Sequence, residues 1–290
     1  MSARYPFHLV DVFAASAAEG CTVAVVPDAD GLSTEAMQTL ACRLGQPATA
    51  FVLSPRRDDC HRRARVFTPL RELPLSITAA FAAALVTGGL RERFAIEQGV
   101  IALEVLRDAE DRMAIAMPRP VFGQIAMPDP DAVARALGLG PESLDPAMPV
   151  LAGNAGLLSL LVPVRHRDDL ADAAVSPRAW RQVIEKAKVL AALLYTQPAE
   201  GRIDAHIVGP LAGPAAWPCE PSMGLSLVSA LVAHGRLDAG APEARVVLRH
   251  GCVRGRDVAV EVVYTGRADR DGAVRVEGPV KTVGTGIVTL

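Results

Sequence analysis

The sequence lacks the residue patterns that mark metal sites, disulfide frameworks and membrane spans. Its five cysteines are scattered and contain no C-x-x-C pair, and its six histidines form no H-x-x-x-H or H-E-x-x-H group. Zinc sites use spacings of those kinds, so neither a metal nor a disulfide framework is expected. No apolar run reaches the roughly eighteen residues that a membrane-spanning helix needs.

An excess of charge of one sign is also lacking. With 30 basic and 32 acidic residues the net charge is -2, which gives no broad electrostatic reason to bind nucleic acid or an anionic membrane. Residues 1–8 lack the layout of a secretion signal, so we expect a cytoplasmic location. Since no glycine-rich phosphate loop follows a predicted strand, no nucleotide cofactor is expected either. Cofactor-free chemistry on a small molecule is the interpretation that remains.

Short apolar runs punctuated by glycine and proline predict a first lobe in residues 1–138. Strands are expected at 7–13, 22–26, 49–53, 65–68, 100–106 and 113–117, with surface helices at 33–45 and 129–138. Residues 75–90 are alanine-rich and nearly uncharged, which is typical of a helix buried on all sides. The arginine-rich stretch 56–65 could bind phosphate, but its mixed charges and its lack of aromatic residues favour a solvated hairpin tip.

The second half, residues 139–290, repeats this plan after a linker at about 138–150. Strands are expected at 157–164, 189–196 and 204–208, with a helix that begins at 176–177 and a second small-residue helix at about 224–235. Two matches in the same order relate the halves: Phe67-Thr-Pro-Leu70 with Val208-Gly-Pro-Leu211, and Ala84-Leu-Val-x-x-Gly89 with Ala230-Leu-Val-x-x-Gly235. We therefore predict an α+β protein of two pseudo-symmetric lobes, each with strands wrapped around a central helix.

The two central helices also define a candidate site. Loops 72–78 and 219–224 precede them, and in a duplicated fold their N-termini can face one another across a cleft between the lobes. Exposed N–H groups and the positive end of each helix dipole favour a carboxylate at such a place. We expect proton transfer next to the carboxylate of a small-molecule substrate.

Several segments match the motifs of a known family in the same order. They are Val10-Asp-Val-Phe13, Gly20-x-x-x-Ala-Val-Val26, Gly31-Leu-Ser-x-Glu-x-Met-Gln38, Thr49-Ala-Phe-Val52, Arg65-Val-Phe-Thr-Pro69 with Glu72-Leu-Pro74, and His250-Gly-x-x-x-Gly-Arg256, which is similar to Gln-Gly-x-x-Met-Gly-Arg. Over nearly its whole length the chain resembles the PhzF-like isomerases of the diaminopimelate-epimerase-fold superfamily. The resemblance implies the duplicated epimerase-type fold, cofactor-independent acid/base chemistry and, commonly, a homodimer.

The resemblance also implies which residues carry the chemistry, and most of them are replaced. Ala48, Thr78, Leu225 and Cys21 stand where the family usually has Glu, His, Ser and Asn, respectively. Glu220 stands where the family has Asp, and it keeps an ionisable carboxyl. A two-thiol racemase would need cysteines near 77–78 and at 223, and none is present there.

Glu220 is therefore the candidate catalytic residue. Its neighbours Trp217 and Pro218 and the apolar helix after it are expected to raise its pKa, whereas the alternative is an exposed loop glutamate that only stabilises the helix. Glu72 more often organises its loop in the family than reacts. Candidate substrate-binding residues are Cys21, Ser76, Thr78, Cys219, Ser222 and Gly224. Helix capping explains the hydroxyls equally well, and Cys219 can instead be a thiol acid/base or a structural cysteine.

Two functions remain open. The first is an isomerase that moves a double bond by relocating a proton in a small unsaturated carboxylate, in secondary-metabolite biosynthesis such as that of an antibiotic or an alkylated proline unit. A single base that picks up and returns one proton favours isomerisation, because racemisation usually needs bases on opposite faces. The second is a non-catalytic small-molecule-binding protein of the same fold, which Ala48, Thr78 and Leu225 favour.

Overall fold

Two compact units make up the part of the chain that the structure describes. The structure, a computed structural model, describes residues 3–14, 19–108, 112–117, 120–123, 125–183, 188–197, 199, 201–209, 219–237, 243–250, 258–265 and 273–290. The first unit contains the described residues up to Ala116 together with Val276–Leu290, and the second contains those from Met117 to Arg275. The lobe boundary expected at residues 138 and 139 thus lies inside the second unit.

Strands outnumber helices in both units. In chain order the elements are β1 (Arg4–Val12), β2 (Cys21–Val26), α1 (Thr34–Leu44), β3 (Ala48–Leu53), β4 (Arg62–Phe67), β5 (Glu72–Leu73), α2 (Ile77–Thr87), β6 (Arg93–Gln98), β7 (Ile101–Arg107), β8 (Arg112–Met117), β9 (Val121–Phe122), α3 (Pro130–Ala136), a 3-10 turn (Pro141–Ser143), β10 (Leu151–Asn154), β11 (Leu158–Pro163), α4 (Arg167–Asp172), α5 (Pro177–Val183), β12 (Ala191–Tyr195), β13 (Arg202–Val208), α6 (Pro221–Ala233), β14 (Glu243–His250), β15 (Val258–Thr265) and β16 (Ala273–Thr289).

In the first unit the strands wrap around α2. Their order is β1-β2-β3-β4-β6-β7-β8, and β16 pairs with the free side of β1. Helix α2 packs against β1, β2, β3, β4, β6 and β7, which its alanine-rich sequence allows because small side chains let strands approach on every side. Phe81 from its middle packs edge-to-face on Phe13, with ring centroids 5.6 Å apart. Strand β3 is buried along its whole length, since α2 covers one face and α1 packs on the other.

The second unit has the same plan around α6. Its strand order is β9-β10-β11-β12-β13-β14-β15, and α6 packs against β10, β11 and β15. The outer face carries α3, α4 and α5, which bury Trp180 in a separate apolar cluster against the sheet. Every residue of α6 from Pro221 to Val232 is buried, as the small-residue composition predicts.

The strand pairings repeat between the units. Along β1-β2-β3-β4-β6-β7 the pairs are antiparallel, parallel, antiparallel, parallel and antiparallel, and β10-β11-β12-β13-β14-β15 follow the same sequence of senses. Each central helix connects the two strands of the second parallel pair. Gly89 and Gly235, the last residues of the matched segments, both have positive φ, 63° and 66°, which favours glycine just after a helix. The predicted α+β fold of strands around a central helix in each half is confirmed.

Several boundaries differ from the sequence prediction for local reasons. Helix α6 begins at Pro221 instead of 224, because a proline fits the first helical position. Strand β4 begins at Arg62, so the arginine-rich tip is shorter than 56–65. Strands β5, β6, β9, β10, β14, β15 and β16 and helix α4 were not predicted. Of these, β5, β9 and α4 are only two, two and six residues long, too short for a clear periodicity.

Among the described residues, no helix is both long enough and apolar enough to cross a membrane.

Candidate active site

Glu220 is the fully buried N-cap of α6. Its side chain accepts a hydrogen bond from the Ser222 backbone N–H at 3.4 Å, and its exposed fraction is 0%. Pro221 occupies the first helical position, where its missing N–H costs nothing. The dipole of α6 favours a negative carboxylate at this place. Glu220 is therefore not exposed, but it does cap the helix as the alternative expected, and its chemical role stays a prediction.

Ser222 and Gly224 lie in the first turn of α6, and not in a loop as the sequence predicted. The Ser222 hydroxyl is buried and has no hydrogen-bond partner among the described residues. A Cβ on Gly224 would lie 3.3 Å from Leu248 Cδ2, so glycine here allows the helix to pack closely on β14. Their proposed contact with substrate stays a prediction.

Cys219 immediately precedes the catalytic candidate and is also fully buried. Burial suits the structural alternative as well as a thiol held inside a site. Trp217 and Pro218, which were expected to raise the pKa of Glu220, lie outside the described residues, as do Gly251–Arg256 of the C-terminal motif.

In the first unit, Ser76 caps α2 and Gln98 fixes this cap. Ser76 Oγ accepts from the Ala79 N–H at 3.2 Å. The Gln98 side chain accepts from the Ser76 N–H at 2.8 Å and donates to the Ser76 carbonyl at 3.1 Å. Thr78 is fully buried in the first turn of the helix. Capping thus accounts for the Ser76 hydroxyl, and Gln98 is a site-supporting residue that the sequence did not single out.

The residues that replace the family's Glu and Asn are buried at strand starts. Ala48 begins β3 with 1% exposure, and Cys21 begins β2 with 0%. Next to Ala48, the buried Thr49 hydroxyl has no hydrogen-bond partner among the described residues. Gly20 before Cys21 has a φ of 94°, and a Cβ there would lie 2.7 Å from Ala14 Cβ, so this turn requires glycine. Because residue 48 is alanine, this position provides no carboxyl for acid/base chemistry.

Glu72 serves the loop and not a buried site. It forms a two-point ion pair with Arg65, with both N–O distances at 2.7 Å, and Arg65 also donates to Thr34 Oγ1 at 3.0 Å. Gln38 of the same motif region donates to the carbonyls of Thr68 and Pro69. These contacts agree with the expectation that Glu72 organises its loop.

His250, at the end of β14, was not recognised from the sequence as a site residue. It is 1% exposed, and neither ring nitrogen has a hydrogen-bond partner among the described residues. Burial, and then the charge of His206 on the neighbouring strand, lower the pKa of His250 to about 4, so its imidazole is neutral at pH 7. The sequence showed a histidine where the family has glutamine, but nothing in the sequence reports that its nitrogens are left without partners.

We expect Gln98→Leu to lower the free energy of unfolding by about 2 kcal/mol, because the Ser76 N–H would lose the Gln98 acceptor inside the protein and the Ser76 carbonyl would lose one of its two donors, keeping the Ala80 N–H. Urea unfolding measures this change. Gln46→Leu is the matched control, since the half-buried Gln46 makes, within the described part of the chain, a single 3.3 Å bond to the Leu44 carbonyl. Equal midpoints for the two variants would contradict the role of Gln98.

Within the described part of the chain, no group of three or more His, Cys, Asp and Glu side chains is arranged to hold an ion. The expectation of a metal-free protein stays a prediction.

Comparisons with known proteins relate the chain to a protein family and to proteins that are named isomerases. A family model described as phenazine biosynthesis-like protein matches residues 10–286. The chain is 28% identical over 306 residues to a trans-2,3-dihydro-3-hydroxyanthranilate isomerase of Pseudomonas chlororaphis, covering 97% of this chain and 98% of that one. A phenazine biosynthesis protein of the PhzF family from Bacillus anthracis superposes with a TM-score of 0.80 at 20% identity, over 99% and 100% of the two chains. A hydroxyproline epimerase from Agrobacterium vitis, with trans-4-hydroxy-L-proline bound, gives 0.62 at 13% identity over 99% and 93%.

Proposed function

This chain belongs to the phenazine biosynthesis-like protein family, and we propose that it is an isomerase that moves a double bond in a small unsaturated carboxylate by relocating a proton. The observation that carries the proposal is the buried carboxyl of Glu220 at the N-terminus of α6. A carboxylate held away from water at that position can act as a general base and then, once protonated, as a general acid.

The reaction can be written with Glu220 alone. Its carboxylate removes a proton from a carbon next to the double bond, and the C–H electron pair forms a new C=C bond while charge moves toward the substrate's carboxyl. The protonated Glu220 then returns the proton to the far carbon, which completes the shift and restores the carboxylate. Atoms and electrons balance without an oxidant, a reductant or a cofactor.

The substrate class follows from the relatives. The similar Pseudomonas chlororaphis protein is named for a dihydro-hydroxyanthranilate, which is an unsaturated ring carrying a carboxylate. We place the chain in secondary-metabolite biosynthesis on that basis, with an unsaturated ring acid or an alkylated proline unit as the substrate class. A homodimer and a cytoplasmic location, expected from the sequence, belong to the same proposal.

We expect the purified protein to convert trans-2,3-dihydro-3-hydroxyanthranilate to an isomer in the absence of added metal or cofactor. In D2O the product should carry solvent deuterium at one carbon, because the Glu220 carboxyl can exchange its proton before returning it. Proton NMR of the reaction measures both events. Label that appears without any isomer would mean deprotonation without a shift, and would contradict the proposed reaction.

A binding protein of the same fold is the second candidate. Ala48, Thr78 and Leu225 are each buried and carry no group that ionises near pH 7, so three positions that the family uses for chemistry cannot exchange a proton here. Binding of an unsaturated ring acid with no isomer formed and no deuterium incorporated would favour this function.

A further inference from the structure

His250 has unused hydrogen-bonding capacity inside the second unit. The side chain is buried, with 1% of its surface exposed, yet both of its ring nitrogens lack a hydrogen-bond partner among the described residues. Buried polar groups are nearly always hydrogen-bonded, so each exception needs an explanation. The Ser222 hydroxyl, in the first turn of α6, is a second exception.

Strand β14 runs toward the N-terminus of α6. Arg236, after the end of α6, donates to the Ala147 carbonyl before β10, while Gly153 near the end of β10 lies against Ser226 in the N-terminal half of α6. Strand β10 is therefore antiparallel to the helix. The alternating senses along β10-β11-β12-β13-β14 then give β14 the same direction as β10.

His250 consequently lies at the level of the cap of α6. Leu248 contacts the position of Gly224, and His250 lies on the same buried face of β14, two residues further on. Two strand residues span about 6.6 Å, and the four residues from Gly224 back to Glu220 span about 6 Å of helix. Both steps lead in the same direction, toward the end of α6 where Glu220 and the Ser222 hydroxyl lie.

The first unit shows what a side chain at this position reaches. Gln98 ends β6 as His250 ends β14, each strand follows the central helix of its unit, and a glycine follows each residue in the sequence. Gln98 bonds the backbone of the α2 cap, Ser76, with both ends of its amide. The same position in the second unit therefore faces the cap of α6. Gln98 bonds the cap of α2, whereas the His250 ring nitrogens make no hydrogen bond within the described residues.

We infer that His250 is a catalytic residue of the Glu220 site, which donates a hydrogen bond to the substrate oxygen on which negative charge develops. The inference rests on the proposed function and adds a second residue to it. While Glu220 holds the proton, the displaced electron pair gives the substrate's carboxyl or carbonyl oxygen extra charge. A neutral imidazole N–H stabilises that charge without itself transferring a proton. The Ser222 hydroxyl is the second donor available at this place.

His250→Leu tests the inference directly. With trans-2,3-dihydro-3-hydroxyanthranilate as substrate, kcat should fall about 10²-fold, as for removal of one donor to a developing oxyanion, and KM should change less. His250→Gln restores an N–H donor, so its kcat should exceed that of His250→Leu by at least about tenfold. The thermal midpoint of His250→Leu should not fall, because the native imidazole makes no hydrogen bond within the described protein.

Ser229→Ala is the matched control. Ser229 also carries a buried hydroxyl without a partner among the described residues, but it lies seven residues beyond Ser222, about 10 Å along α6. Its kcat and KM should stay at wild-type values. A kcat of His250→Leu within threefold of wild type would overturn the inference. An equal loss of kcat in His250→Gln, together with a lower thermal midpoint, would also overturn it, because that result would indicate a structural role.

Binding of anthranilate separates this inference from the proposed reaction. Anthranilate carries a carboxylate on an aromatic ring, in which no double bond can be moved. Calorimetry measures its affinity for the protein. If the wild type shows no turnover yet binds anthranilate at least tenfold more tightly than His250→Leu does, the reaction is wrong and the His250 contact stands. If the wild type turns over and His250→Leu matches it in kcat and in affinity, only the contact is wrong. A wild type that does neither overturns both.

Discussion

Glu220→Gln is expected to lower kcat by at least about 10²-fold while the protein stays folded. The amide keeps the size of the side chain and can still accept from the Ser222 N–H, but it cannot take up and return a proton. Turnover of trans-2,3-dihydro-3-hydroxyanthranilate and deuterium incorporation from solvent should fall together, because one group performs both steps. The midpoint of urea unfolding checks that the fold is kept.

Glu104→Gln is the control for this substitution. Glu104 lies on β7, where its side chain is half exposed and pairs with Arg93, so loss of its charge should leave both readouts unchanged. Unchanged turnover in Glu220→Gln would remove Glu220 from the mechanism. Cys219, buried next to it, would then be the group to test, by Cys219→Ser.

The helices with clear caps or a small-residue composition were predictable from the sequence, whereas the long strands β14, β15 and β16 were not. Helix α1 begins after Ser33, which accepts from the Ala36 N–H, and ends at Gly45 with a φ of 62°, as capping rules and glycine placement indicate. Helices α2 and α6 were visible as small-residue stretches without charge. The order of parallel and antiparallel pairs was not predictable in the same way, because it depends on contacts between residues far apart in the chain.

The site could be predicted only in part. Glu220 was identified because a matching motif keeps a carboxyl there, and its complete burial agrees with a role inside the protein. Gln98 and His250 were both missed, since Gln98 bonds a helix cap that is 22 residues away in the chain and the role inferred for His250 depends on its position beside another distant cap. Nothing in a linear sequence shows that Gln98 is bonded on both sides of its amide while the nitrogens of His250 have no partner in the described chain.

Gly153→Val is expected to destabilise the protein by about 3 kcal/mol, at the upper end of the usual cost of overpacking. A Cβ on Gly153 would lie 2.8 Å from Ser226 Cβ and 3.3 Å from the Phe122 ring, so a valine must push α6 away from β10. Because α6 carries Glu220 at its N-terminus, kcat should fall as well. Urea unfolding and turnover measure the two effects.

Gly284→Val is the control for a valine placed in a strand. A Cβ on Gly284 would meet Leu9 at an ordinary 3.6 Å, and valine suits strands, so stability should change by less than about 1 kcal/mol. A similar loss in both variants would mean that the close approach of α6 to β10 does not decide the effect.

Ser226→Gly should partly rescue Gly153→Val, because it removes the Cβ that the valine meets first. Alone, Ser226→Gly is expected to destabilise by about 1 kcal/mol through the helical preference of the backbone, and it also removes the Ser226 hydroxyl bond to the Ser222 carbonyl. In the double variant the free energy of unfolding should exceed the additive value by at least about 1 kcal/mol, as for residues in direct contact. Strict additivity would show that the valine is accommodated elsewhere, and that the position of α6, with the Glu220 carboxyl at its N-terminus, does not depend on a glycine at 153.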